Sequence, residues 1–79
     1  MIFSNLKHIA KNYKNEKGWR EPAAKLIDCS TKRNDYDQDE VRKNIERLNI
    51  VFQKYGLEQV PEAQIDQEYR AFIMQIKAV

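Results

Sequence analysis

The sequence predicts an all-α protein, a compact three- or four-helix bundle built as one small domain. Three observations carry this expectation. Apolar residues recur at three- and four-residue steps in separate segments, the period of a helix face. Pro22 and Pro61 stand where helices would begin, and Gly56 stands where one would end. No stretch of strand length alternates apolar with polar residues to compete with that reading. Seventy-nine residues leave room for one core only. A composition of 42% apolar and 33% charged residues is too hydrophobic for a chain that stays disordered. Ordering such a chain costs on the order of 100 kcal/mol, which one small core offsets narrowly, so a partner or a second copy would add stability.

The first helix is expected over 3–16, with Ile2, Leu6, Ile9 and Tyr13 on one stripe and Ser4 or Asn5 near its start. The second is expected over 22–29, opened by Pro22, whose missing N–H needs no partner in a first turn, and burying Ala23, Leu26 and Ile27. The polar residues between Cys29 and Tyr36 favour a loop. The third helix, 38–55, has the clearest pattern. Asp37 and Glu40 have capping-box spacing, and Val41, Ile45, Leu48, Phe52 and Tyr55 repeat along one seam until Gly56. Pro61 opens the last helix, 61–77, where Ile65, Tyr69, Phe72, Ile73 and Ile76 share a face. Four acid-before-base pairs at i,i+4 support these helices: Glu16 with Arg20, Glu21 with Lys25, Asp39 with Lys43, and Asp66 with Arg70.

Charge and cysteine content narrow the functional classes. Fourteen basic against twelve acidic residues leave a net charge of +2, far from the balance of a dedicated nucleic-acid coat. The charge is nonetheless polarised. Residues 1–33 hold eight basic and three acidic side chains, +5, and residues 34–79 hold six and nine, −3. Cys29 is the only cysteine, so no intramolecular disulfide forms and a reducing cytoplasm is the expected compartment. The N-terminal residues lack the apolar core of a signal peptide, and no apolar run is long enough to cross a membrane. Abundant Lys, Asn and Ile, with A/T-rich codons, suit a phage or another mobile element.

Catalysis is not expected. The chain has one His and one Cys, no nucleophile motif linking His8 to Cys29, and no glycine loop to cradle phosphate. No cofactor and no small-molecule substrate are implied. Asp35, Asp37, Asp39 and Glu46 occupy positions 1, 3, 5 and 12 of a calcium-loop pattern, but Glu40 stands where that loop needs glycine. The pattern also collides with a helix already periodic from Val41. These acids are therefore expected to complement a helix N-terminus rather than to bind metal.

Two binding surfaces remain as expectations. Lys7, Lys11 and Lys14 lie opposite the first apolar stripe, and Lys17, Arg20, Lys32 and Arg33 extend the basic region. Such a face is ordinarily just solvated, but it could also track phosphates as a nucleic-acid-binding module. The stretch between the second and third helices is too long for a helix-turn-helix. The other surface is apolar. Ile50 projects opposite the third helix's seam, Val51 lies off it, and Met74 projects opposite the last helix's stripe. Either the third helix is central and touched on two sides by its neighbours, or an exposed patch around Ile50, Val51, Leu57 or Met74 docks a partner, with Trp19, Tyr36 and Tyr55 as candidate anchors if exposed. The leading expectation is thus a small non-enzymatic regulatory or accessory protein, of inhibitor or adaptor type, that binds a protein partner or a second copy of itself. The alternative is the nucleic-acid-binding module.

Overall fold

The computed structural model describes residues 1–30 and 36–78. It contains α1 (Ile2–Asn12), α2 (Arg20–Cys29), α3 (Gln38–Lys54) and α4 (Ile65–Lys77), the last preceded by a 3-10 turn at Glu62–Gln64. No strand occurs among the described residues. The Cα radius of gyration, 11.8 Å, matches the value of about 12 Å for a compact chain of this length. α2 packs along α3, α1 packs against α4, and contact between α3 and α4 joins the two pairs. One core results, drawn from Ile2, Leu6 and Ile9, Ala23 and Leu26, Val41, Ile45, Leu48 and Phe52, and Ile65, Tyr69, Phe72 and Ile73.

α1 ends at Asn12, short of the expected 16. Asn12 folds its side chain back onto the His8 carbonyl (3.0 Å), a local bond that competes with helix continuation. Tyr13 then leaves the stripe and stacks on Tyr55, ring centroids 4.1 Å apart. It is 37% exposed, so it closes the edge of the core rather than filling it. Ser4 and Asn5 do not cap α1. Asn5 donates instead to the Glu58 carbonyl at 2.7 Å, tying α1 to the connection before α4.

α2 begins at Arg20, two residues earlier than expected, and Pro22 still falls within the first turn, where an N–H has no helical partner. The inward stripe is Pro22, Ala23 and Leu26. Pro22 itself faces the core, so the stripe is centred away from Ile27. That side chain, expected to be buried, is 38% exposed.

α3 follows its sequence signals at both ends. Asp37 Oδ1 accepts from the backbone N–H groups of Asp39 (3.0 Å) and Glu40 (3.3 Å). Glu40 does not complete a reciprocal capping box, because its Oε1 accepts from Asn44 Nδ2. At the far end Gly56 adopts φ 69°, Gly56 N–H donates to Gln53 O, and Leu57 N–H donates to Phe52 O at 2.8 Å. This is the paired bonding of a left-handed helix stop. The helix is buried on two flanks, and this corrects one expectation. Val51 is only 8% exposed and packs beneath the segment entering α2, where Gly18 lies against it. It belongs to the core and not to a surface patch.

α4 starts at Ile65 rather than 61. Pro61 is extended, with φ −65° and ψ 145°, and the chain makes the 3-10 turn before the α-helix begins. The connection is held by Asn49, whose side-chain amide accepts from Val60 N–H (2.8 Å) and donates to Val60 O (3.0 Å). Of the expected i,i+4 pairs, Glu21 and Lys25 meet at 3.5 Å. Asp39 pairs with Arg42, Glu16 with Lys54, and Asp66 accepts from Tyr36. Asp39 thus finds its partner one turn along its own helix, whereas tertiary position selects the partners of Glu16 and Asp66.

Candidate functional site

Two of the expected contact residues, Tyr36 and Met74, converge. They line a cleft of about 350 Å³ between the end of α2, the residue leading into α3, and α4, together with Ser30, Tyr69, Arg70, Ile73 and Lys77. The α2 end is fastened by Tyr69, which is buried and whose hydroxyl donates to Leu26 O (3.0 Å). Burial, with lesser contributions from Cys29 and Tyr36, pushes the Tyr69 phenol up to about 12, so it remains a neutral donor. Tyr36 leans on the Tyr69 ring at 4.8 Å and donates its hydroxyl to Asp66 Oδ1 (3.0 Å). Both aromatic walls are thereby fixed. Ser30 Oγ donates to Ile27 O.

The rim of the cleft comes from α4. Arg70, Met74 and Lys77 stand at i, i+4 and i+7, hence on one stripe of the helix, with Ile73 buried beneath them. Met74 is 71% exposed. Among the described residues neither Arg70 nor Lys77 has an ion-pair partner. The cleft therefore combines aromatic walls, a flexible thioether and two unengaged cations, a composition suited to holding an apolar group that carries negative charge nearby.

The other expected contact residues lie elsewhere, Tyr55 half-buried against the Tyr13 ring. Ile50 is 69% exposed on the outward face of α3, with the exposed charged residues Glu46 and Lys54 one turn to either side. Isolated apolar residues of this kind are ordinary on protein surfaces. Trp19 is half-buried, its indole N–H donating to Glu16 O (3.0 Å) and the Arg20 guanidinium 5.7 Å from its ring. Leu57 is half-buried at the stop of α3.

The basic region is also rearranged. Lys7 and Lys11 share the outward face of α1, Lys7 lying 5.6 Å from the Phe3 ring, but α1 ends before Lys14 and Lys17. Lys14 is therefore not on a helical stripe with them. Lys14, Lys17 and Arg20 are exposed on and after the following connection. Lys32 and Arg33, like Asp35 of the calcium pattern, lie outside the described residues. Asp37 is committed to the α3 cap and Glu46 lies within a continuous helix, so the chain does not form a calcium loop there. Among the described residues no cluster of three or more His, Cys, Asp or Glu is arranged to hold a metal ion.

At the other end of α3 a carboxylate with three bonds joins two segments, the α1–α2 connection and the end of α3. Glu16 Oε1 accepts from Lys54 Nζ (2.9 Å) and Tyr55 Oη (2.7 Å), and Oε2 accepts from Gly18 N–H (2.8 Å). A Cβ at position 18 would come within 2.9 Å of that oxygen, so glycine permits the approach. Bonds from Lys54, Tyr55 and Gly18 lower the Glu16 carboxyl to about 2 from an ordinary 4.5. The clasp fastens the α1–α2 connection to the end of α3. A depressed carboxyl stabilises the fold fully above its unfolded value and loses that contribution as pH falls through its folded value. The thermal midpoint of the wild type should therefore exceed that of Glu16→Gln at pH 6, and the gap should close between pH 4.5 and 2. Melting curves showing a gap unchanged over that interval would refute the clasp.

Sequence reasoning placed Tyr36 and Met74 in the surface set but missed Arg70 and Lys77. Their signal was available, since i, i+4 and i+7 spacing around Met74 is legible in the chain. Tyr69 was read as core, which it is, and it also walls the cleft.

Among the described residues no helix is long and apolar enough to cross a membrane. No protein-family model matches this chain, and no curated protein or solved structure is significantly similar to it. The molecule is a small all-α bundle defined by its own architecture.

Proposed function

We propose that this chain is a non-enzymatic accessory protein, of inhibitor or adaptor type, that acts by seating a protein partner in the Tyr36–Met74 cleft. The exposure of Met74 over a prepared apolar floor carries this reading. The remainder of α4's apolar side is engaged in the core, and a long thioether left in water beside two fixed aromatic rings suits an adaptable protein contact. The runner-up, nucleic-acid binding, has less to support it, because the helical lysine stripe stops after Lys11.

A photo-crosslinking amino acid placed at position 74 tests the proposal in cells of the source organism, with position 50 as the control. The expected result is a covalent adduct to one discrete protein from position 74 and none from position 50. Adducts to nucleic acid that vanish in Lys7→Gln/Lys11→Gln/Lys14→Gln would replace this function with the runner-up. The absence of any adduct at 74 would also overturn it.

A further inference from the structure

The chemistry of the cleft specifies what kind of segment it accepts, on the reading that the cleft is a protein-docking site. Its floor is apolar, formed by Tyr69 and Ile73 with Met74 above. The two rim cations, seven residues apart on α4, are separated by about 10 Å along the helix axis. Their aliphatic stems can lie along the floor while the charged heads stay in water. Neither head has an acid to meet among the described residues. Asp66, one turn before Arg70, already accepts from Tyr36. The occupant must therefore bring its own carboxylates, spaced to match, on either side of an apolar group.

Backbone chemistry narrows the form of that occupant. The described chain has no strand, hence no sheet edge to which an extended peptide could add its N–H and C=O groups. An extended segment pressed on this floor would leave backbone polar groups without partners. A helix satisfies its own. A helix aligned with α4 also has the same rise per residue, so acids at i and i+7 flanking an apolar residue at i+3 or i+4 fall opposite Arg70 and Lys77.

A second copy of this chain fits less well. Its exposed apolar residue on α3, Ile50, has Glu46 one turn before it but Lys54 one turn after it. Docked alongside α4, it would set one attractive charge pair against one repulsive pair. We propose that the cleft between the end of α2 and α4 is the docking groove for an acidic amphipathic helix of another protein, its apolar side chains seated on Tyr69, Ile73 and Met74 and its carboxylates opposite Arg70 and Lys77.

The full chain, labelled with nitrogen-15, is titrated with a side-chain-stapled helical peptide carrying Glu at i and i+7 and Leu at i+3 and i+4. Two counterparts replace both Glu by Lys or both Leu by Ala. The acidic peptide should bind about tenfold more tightly than the lysine peptide at low salt and should shift amide signals of Arg70, Ile73, Met74 and Lys77. The Ala peptide should bind much more weakly. Arg70→Gln/Lys77→Gln should erase the preference for Glu over Lys, and Met74→Glu should weaken binding of the acidic peptide. Equal binding of the acidic and lysine peptides, or shifts confined to other helices, would overturn the acidic-helix assignment. If position 74 still crosslinks to a protein, the docking function survives that failure. If it does not, both fall. Concentration-dependent sedimentation of the chain alone, abolished by Met74→Glu, would overturn the assignment in favour of a second copy.

Discussion

Replacing Phe52 with alanine should bring this protein close to unfolding at ordinary temperature. Phe52 lies on the α3 seam, is wholly buried, and is among the largest fully buried side chains. Truncating a buried phenylalanine costs about 3–5 kcal/mol, through lost transfer energy and the cavity left behind. A chain of this size has a total stability of about 4–12 kcal/mol, so the variant loses a large share of it. The thermal midpoint should fall by at least about 12 °C, taking about 4 °C or more per kcal/mol for a domain of this length. Ile50→Ala, two residues earlier on the outward face of the same helix, should stay within about 0.5 kcal/mol of the wild type. Circular dichroism melts of the two variants check both statements, and similar shifts for the two would show that the core has been misplaced.

The second large effect comes from a side chain with no hydrophobic role. Asn49→Ala removes the amide that bonds both the N–H and the carbonyl of Val60, a buried residue. Each orphaned backbone group costs about 1–3 kcal/mol, so the variant, which orphans two, should lose about 2–6 kcal/mol in all. Asn49→Asp is the sharper control. It keeps an acceptor for Val60 N–H but sets a carboxylate oxygen against Val60 O, so it should also destabilise, while leaving the Val60 amide better protected than in the alanine variant. Hydrogen exchange at Val60 reads this directly. An unchanged exchange rate in Asn49→Ala would mean that the connection into α4 is held by something else.

These two residues also mark where the sequence was informative. Phe52 was legible because its seam repeats at helical spacing from Val41, and because Asp37 and Gly56 bracket that seam with a cap and a left-handed stop. Asn49 carried no such signal. An asparagine within a helix reads the same whether it faces water or clamps a loop eleven residues away. Asn44 is a similar case, buried with its amide bonded to Glu40 and Arg47. The candidate site divides likewise. Met74 stood out because an apolar residue on a polar face breaks the helical period, but Val51 broke it equally and is core. Only the position of α2 against α3 separates the two.

Local spacing by itself determined the all-α class, the four helices in their order, the cap and stop of α3, and most of the apolar residues that meet in the core. Period and capping act within a turn or two of chain, so neighbouring residues encode them. The tertiary structure decided which off-seam residues are covered, where Glu16 and Asn49 find their partners, and that Tyr36 and Met74 line one cleft rimmed by Arg70 and Lys77. Those outcomes depend on how helices distant in the chain lie against one another, an arrangement set by the packing of all the side chains together rather than by any one segment.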